Sequence, residues 1–255
     1  MFIIKNLSFI LEQKPLLQNI NLEFAPGKLY GLIGHNGSGK STLLKLLARQ
    51  ETRYQGSISF GQQDIHSYAS KEFARNVAYL PQDLPTDTFL PVRELVAMGR
   101  FPYQSIYSFG KSAQDQEIIQ QCLTWTHMLE HADTYVDLLS GGQRSRAWLA
   151  MMLAQKSQFL LLDEPLAALD ISHQVEIMQL LQQLCHEYGL GIILVIHDIN
   201  LAARYCDELI ALKQGQVIYQ GNASNLMQQE MLKQIYGIDL QITDHPHANC
   251  KVAFY

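Results

Sequence analysis

A short apolar run, Leu29-Tyr30-Gly31-Leu32-Ile33, leads into Gly34-His35-Asn36-Gly37-Ser38-Gly39-Lys40-Ser41-Thr42 and then into a leucine-rich stretch. The run has the character of a buried strand and the leucine spacing that of a helix from Lys40 to about Ala48, with only a glycine-rich turn between them. From Gly34 to Ser41 the chain fits the template G-x-x-x-x-G-K-[ST]. Gly34, Gly37 and Gly39 let the backbone bend close to an anion, so that successive N–H groups can point at phosphate oxygens. Lys40 is then placed for the β and γ phosphates and the Ser41 hydroxyl for Mg²⁺, at a helix N-terminus whose dipole favours negative charge. A tight turn with an incidental lysine is the plainer alternative, and the flanking strand and helix argue against it.

At 255 residues with 47% hydrophobic content, the chain can bury a substantial core, as one domain with an insertion or as two small ones. Lys and Arg number 19 against 24 Asp and Glu, a net charge of −5, so no basic excess points to nucleic acid. Cys122, Cys185, Cys206 and Cys250 stand far apart without a C-x-x-C pair, which argues against a zinc site or disulfide framework and points to the cytosol. Met1-Phe2-Ile3-Ile4-Lys5 reads as an opening strand rather than a signal peptide. The longest apolar runs, such as 159–162 and 192–196, fall far below the roughly 20 residues that span a bilayer, so work at a membrane needs another chain to supply the span.

In chain order, 2–9 and 20–24 alternate apolar and polar residues around Glu12-Gln13-Lys14-Pro15 and predict an edge β-hairpin. Residues 56–61 and 76–80 predict further strands, the second ending in Pro81-Gln82. From Asp83 to about Gln155, prolines and aromatics give way to helical periodicity, and the region reads as a helical insertion. Ser112 and Asp115 signal a helix start, with Ile118, Cys122, Trp125 and Leu129 expected along its core-facing stripe.

Leu139-Ser140-Gly141-Gly142-Gln143 opens the next helix, and S-x-x-Q is a capping box that by itself accounts for Ser140 and Gln143. Gly141 and Gly142 are not explained by capping: they cost helix stability and open the N-terminus to close approach by an anion. Phe159-Leu160-Leu161-Leu162-Asp163-Glu164-Pro165 is a continuously apolar strand ending in two carboxylates, the pattern of a parallel strand buried on both faces. Ligands collect at the carboxyl ends of such strands. There Asp163 suits Mg²⁺, and Glu164 suits the polarising of a water aimed at a γ-phosphate; a helix-start aspartate and a solvated glutamate are the bland alternative. Asp170 reads equally well as the cap of a helix that buries Val175, Met178, Leu181 and Cys185. Residues 191–196 predict another buried strand, whose carboxyl end places His197 to hydrogen-bond the γ-phosphate. Two strands, 208–212 and 216–221, and two short helices up to Gly237 follow. The tail 238–255, with His245, Pro246 and His247, offers no third metal ligand and no assigned chemistry.

Taken together, the loop 34–42, Gln82, Leu139 to Gln143, Leu162 to Pro165, Asp170 and His197 resemble, in order, the phosphate loop, Q-loop, signature motif, second carboxylate motif, D-loop and switch histidine of the ABC (ATP-binding cassette) ATPases. More narrowly, Pro91 to Tyr103, His197 to Asp207 and the aromatic end Phe254-Tyr255 are similar to ATPase subunits of bacterial importers for iron chelates, haem and vitamin B12, above all those of ferric hydroxamate uptake. Two positions depart from the pattern. Leu11 stands where many relatives carry an aromatic that stacks on adenine, which leaves Phe9 or an apolar contact for the base, and Leu166 stands where threonine is common.

The resemblance implies an α/β P-loop (RecA-like) fold with a mostly parallel sheet, an N-terminal antiparallel β subdomain and an inserted α-helical subdomain. Residues 1–82 and 156–237 would form the ATPase core with its β subdomain, 83–155 the helical subdomain and 238–255 a tail. It implies ATP on Gly34, His35, Asn36, Gly37, Ser38, Gly39, Lys40, Ser41 and Thr42, with Mg²⁺ on Ser41, Gln82 and Asp163. Glu164, His197, Lys40 and Gln82 would carry catalysis. Ser140, Gly141, Gly142, Gln143 and Asp170 would act in trans across a head-to-tail homodimer. A membrane permease, a periplasmic binding protein and a place on the cytoplasmic side of the inner membrane complete the expectation. A soluble ABC ATPase of DNA repair or translation usually carries two cassettes or a long coiled insertion, and this chain has neither. An exporter subunit is disfavoured by 92–103, and a module without turnover by the presence of Glu164 and His197.

Overall fold

The N-terminal alternation folds into β1 (Phe2–Leu11) and β2 (Lys14–Phe24), paired antiparallel in a computed structural model that describes residues 1–104, 112–246 and 250–254. Both strands run further toward their turn than the pattern predicts, because Glu12 and Gln13 close it alone with φ values of 47° and 65°. Such a two-residue turn matches the twist of its strands. The apolar run is β3 (Leu29–Ile33), buried throughout, and the leucine-rich stretch is α1 (Lys40–Leu47). β4 (Gln55–Phe60) and β5 (Gln63–Asp64) complete an antiparallel sheet of order β2-β1-β4-β5. The unforeseen helix α2 (Ser70–Asn76) then leads into β6 (Val77–Leu80).

Residues 92–154 supply α3 (Val92–Met98), α4 (Ala113–Trp125) and α5 (Gly141–Ala154). Ser112 caps α4, its Oγ accepting from the Asp115 N–H at 3.0 Å. The stripe expected on α4 is only partly right. Cys122 is buried, but its companions are Ile119, Leu123 and Thr126, while Ile118 and Trp125 are half-buried and Leu129 is 45% exposed. The helix stops at Trp125, so Leu129, in the separate turn Leu129–His131, does not inherit its period. Trp125 instead packs at the core's edge against Tyr188, ring centroids 5.6 Å apart. Arg100, 7% exposed, ties the three helices: its Nε donates to Asp115 Oδ1 at 2.7 Å and its Nη1 to the Ala154 carbonyl at 2.8 Å.

β7 (Phe159–Asp163), α6 (Ile171–Tyr188), β8 (Gly191–Val195), α7 (Ile199–Tyr205), β9 (Glu208–Lys213) and β10 (Gln216–Gly221) follow. The second sheet has the order β10-β9-β3-β8-β7-β6 and is parallel except at β10. Its residues alternate between two cores. Leu29, Ile33, Leu160, Leu162, Ile192 and Leu194 pack with α6 and the helices of 92–154; Tyr30, Leu32, Phe159, Leu161, Ile193 and Val195 pack with α1 and the antiparallel sheet. Burial on both faces is why these strands read as unbroken apolar runs. At about 1.5–3 kcal/mol per fully buried large apolar side chain, the double core fixes a strand order that lines up the carboxyl ends of β3, β6, β7 and β8.

After α8 (Ala223–Leu226) and α9 (Gln229–Tyr236), the tail forms an unforeseen hairpin, β11 (Gln241–Asp244) and β12 (Lys251–Phe254). The Asn200 side chain on α7 ties it down, bonding both backbone groups of Ala253 at 2.8 and 3.1 Å. His247 and Tyr255 lie outside the described residues. Among the described residues no helix is long and apolar enough to cross a membrane.

Candidate functional site

The loop between β3 and α1 takes its path from glycine. Gly34 has φ +133°, and a Cβ there would stand 2.2 Å from the Leu212 carbonyl oxygen, so no other residue fits. Gly39, with φ +105°, leads into Lys40, and α1 starts with no capping side chain and no acidic residue in its first turn. Its N-terminal N–H groups and the positive end of its dipole are therefore left for an anion.

Lys40 is 4% exposed and its Nζ donates to the carbonyls of Gly34 at 2.8 Å and His35 at 2.9 Å. Burial pushes its pKa down, while Glu164 and Asp163 pull it back up. Next in the chain, the Ser41 hydroxyl donates to Asp163 Oδ1 at 2.8 Å. Asp163, at the end of β7, is 1% exposed; burial pushes its carboxyl pKa up against the Ser41 hydrogen bond. A hydroxyl and a carboxylate this close, beside a phosphate-type loop, fit Mg²⁺, which favours hard oxygens and is usually held by one or two carboxylates plus phosphate oxygens and water.

Glu164 has φ +52°, a left-handed backbone that non-glycine residues rarely adopt. Its carboxylate is gripped on both oxygens, by Gln82 Nε2 at 2.9 Å and by His197 Nε2 at 2.7 Å. The sequence places His197 at a phosphate; the structure joins it to Glu164. Asn36, Gly37, Gly39, Lys40, Ser41 and Thr42 share a cleft of about 440 Å³ with Gln82, Glu164 and Leu16.

Leu16 is a wall of this cleft that motif reading missed. The signal is the pair Leu16-Leu17 in β2: Leu17 is fully buried, so strand alternation sends Leu16 the other way. Phe9, one of the two alternatives expected for the base, does not line the cleft. It is 5% exposed, packed in the core between the sheets, whereas Leu11 is 50% exposed.

Ser140, Gly141, Gly142, Gln143 and Asp170 do not line the cleft; they form a second cluster. The capping box is complete, with Ser140 Oγ accepting from Gln143 N at 3.3 Å and Gln143 Oε1 from Ser140 N at 3.0 Å. A Cβ on Gly142 would stand 3.2 Å from the Ala168 carbonyl oxygen, so α5 abuts the segment leading to Asp170. Asp170 caps α6, accepting from His173 N at 3.0 Å and Ser172 Oγ at 2.8 Å. Those bonds, the His173 backbone one foremost, push its carboxyl pKa down to about 2.

A family model described as ABC transporter matches residues 17–167, a span that holds the loop, Gln82, Ser140 to Gln143 and Glu164. The iron(3+)-hydroxamate import ATP-binding protein FhuC of Bacillus subtilis is 44% identical over 92% of this chain and 87% of its own. The ferric enterobactin transport ATP-binding protein FepC of Escherichia coli is 42% identical over 91% of this chain and 85% of its own. Among solved structures, the dimeric MJ0796, a bacterial ABC transporter cassette, superposes with a TM-score of 0.77 at 27% identity, covering 88% of this chain and 99% of that one. The chain belongs to the ABC transporter family, as an ATP-binding subunit that hydrolyses ATP.

Proposed function

We propose that this chain powers a bacterial importer of iron(III)-siderophores, ferric hydroxamates in the first place. The observation that carries this reading is the 44% identity across 92% of the chain to a hydroxamate import subunit. The loop 34–42, from Gly34 through His35, Asn36, Gly37, Ser38, Gly39, Lys40 and Ser41 to Thr42, cradles the phosphates of ATP. Ser41, Asp163 and Gln82 hold Mg²⁺, which when bound neutralises phosphate charge and orients the γ-phosphoryl group. Glu164 takes the proton of the attacking water, while Gln82 and His197 hold its carboxylate in place and His197 also reaches the γ-phosphate.

Ser140, Gly141, Gly142, Gln143 and Asp170 complete the site of a second copy in a head-to-tail homodimer, which gives two equivalent sites. Two observations support this: none of them lines the cleft of its own chain, and the related MJ0796 cassette is dimeric. Residues 1–82 and 156–237 act as the ATPase core, 83–155 as the arm that meets a membrane permease, and 238–255 as a tail. A periplasmic binding protein delivers the cargo, and the chain sits peripherally on the cytoplasmic side of the inner membrane. Because Gln82 bonds Glu164 directly, a permease that moves the Gln82 segment is felt at the base.

The cargo is tested by deleting the gene and supplying a ferric hydroxamate as sole iron source; growth should fail and return with the gene. Normal growth, with no second ATPase gene to substitute, discards the hydroxamate reading, and other iron chelates, haem and vitamin B12 are tested next. Mixing a Ser140→Ala chain with a Lys40→Ala chain should restore some ATP-dependent association, through hybrids with one intact composite site.

A further inference from the structure

His131 belongs to none of the motifs above, yet it touches one. Its Nε2 lies 3.1 Å from Gln143 Nε2. The other end of the Gln143 amide is fixed, because Ser140 N can only donate and Gln143 Oε1 accepts from it at 3.0 Å. The amide nitrogen is therefore turned to the ring, and the ring nitrogen must be the acceptor, with the imidazole neutral and its proton on Nδ1. We infer that His131 is a positioning residue for the signature pair: it fixes the rotamer of Gln143, and through it the capping geometry in which Ser140 meets the nucleotide of the other subunit. This rests on the trans reading of Ser140 to Gln143 proposed above.

A protonated imidazole carries only donors and cannot accept from Gln143. The amide must then rotate to give its oxygen to the ring, which sets its N–H₂ against Ser140 N and opens the capping box. One proton thus sets the ring contact against the helix cap. Histidine is the side chain whose charge ordinarily changes between about pH 5 and 8, and that is the range over which the contact is tested. The charged groups on the surrounding elements are Glu130 in the same turn, Arg93 and Glu94 on α3, His127 after α4, Asp133, Asp137, and Arg144 on α5. Asp133 is engaged by Arg93 at 2.7 Å, and Arg144 donates to the Leu139 carbonyl at 3.3 Å. No ion pair joins the ring to Glu130, Asp133 or Asp137.

Association rather than turnover is the readout, because turnover also depends on the Glu164–His197 contact in the cleft. A Glu164→Gln background, which should hold the ATP-bound pair together, receives His131→Leu, which removes the acceptor, or His131→Gln, which keeps one that does not titrate. Sedimentation with ATP is measured near pH 8 and near pH 6. His131→Leu should weaken ATP-dependent association about tenfold near pH 8, with the ATP affinity of the single chain unchanged. His131→Gln should restore most of the association, and should lose much less of it on acidification than the chain with His131.

Equal association of all three chains at both pH values overturns the inference. Equal loss in both variants also overturns it, since that marks a packing role alone. Ser140→Ala separates the levels. If it too leaves association untouched, the trans reading fails; loss with Ser140→Ala but not with His131→Leu removes His131 only.

Discussion

The carboxylate of Glu164 and the imidazole of His197 stand 2.7 Å apart, joining the ends of the neighbouring parallel strands β7 and β8. Gln82, just beyond β6, takes the other carboxylate oxygen at 2.9 Å. Three adjacent strands thus each bring one side chain to a single point. The positive φ of Glu164, 52°, is backbone strain of the kind that persists where surrounding structure over-determines it. A base that must act on one water gains from being held in this way.

Replacing Glu164 with Gln should isolate the chemical step. The amide keeps both contacts within reach, since His197 can present either tautomer, but it cannot take a proton. Hydrolysis should fall about 10²–10⁴-fold, roughly 3–5 kcal/mol of barrier, with little change in ATP affinity. The variant should accumulate as an ATP-bound dimer, because hydrolysis is what releases the two chains. Turnover and size-exclusion elution with Mg-ATP decide it. Hydrolysis within about threefold of the parent, well short of a general-base contribution, leaves His197 or unassisted water in place of Glu164.

Lys40→Ala tests the loop. The ammonium group that bonds the Gly34 and His35 carbonyls is the one positive side chain in the phosphate stretch. Its removal should weaken ATP binding about 10- to 100-fold, the range of hydrogen bonds to charged groups, with the far-ultraviolet dichroism intact. Equilibrium binding of a labelled ATP analogue reads the change, and unchanged affinity in a folded variant would sink the central assignment.

What was legible in the sequence and what was not divides along sequence distance. β3, β7 and β8 are buried on both faces, so unbroken apolar runs reported them directly. The caps at Ser112 and Ser140 are set by residues three positions away, and both were readable. The Leu16 wall, the burial of Phe9 and the His131–Gln143 contact depend on which side of an element faces which neighbour. Periodicity leaves that open until packing chooses. The α4 stripe failed at Leu129 for a related reason, since the pattern was carried past the residue at which the helix stops.

Arg100 should prove to be a stability residue with a pH signature. Its hydrogen bond is the chief reason why the Asp115 carboxyl sits below its ordinary pKa. Arg100→Met leaves Asp115 Oδ1 and the Ala154 carbonyl without the guanidinium that donates to them, at a cost of about 2–4 kcal/mol, somewhat less than for a fully buried pair. A depressed folded pKa stabilises above the unfolded value, about 3.9, and that contribution is lost as pH falls through the folded pKa. The gap in thermal midpoint between parent and variant should therefore be full at neutral pH and shrink below about pH 4. A gap of constant size down to about pH 3 would assign the loss to packing alone.

The last prediction concerns the base of the nucleotide, where this chain has Leu11 in place of an aromatic residue. Leu16 lines the phosphate cleft and Leu11 is half exposed, whereas Phe9 is committed to the core. Leu16→Ala should raise the KM for ATP about fivefold with kcat unchanged, as expected when about 1 kcal/mol of uniform binding is lost. Phe9→Ala should instead destabilise the fold by about 3–5 kcal/mol and leave the preference among nucleotides as it was. Leu11→Tyr supplies a stacking face worth about 1–3 kcal/mol, so the KM for ATP should drop at least fivefold. Steady-state kinetics with ATP and GTP on the three variants, beside their thermal midpoints, separate the roles. If Leu16→Ala leaves every KM unchanged while Phe9→Ala alters the ATP-to-GTP ratio in a folded chain, the base sits on the first strand's inner face, and the apolar wall assigned to Leu16 is wrong.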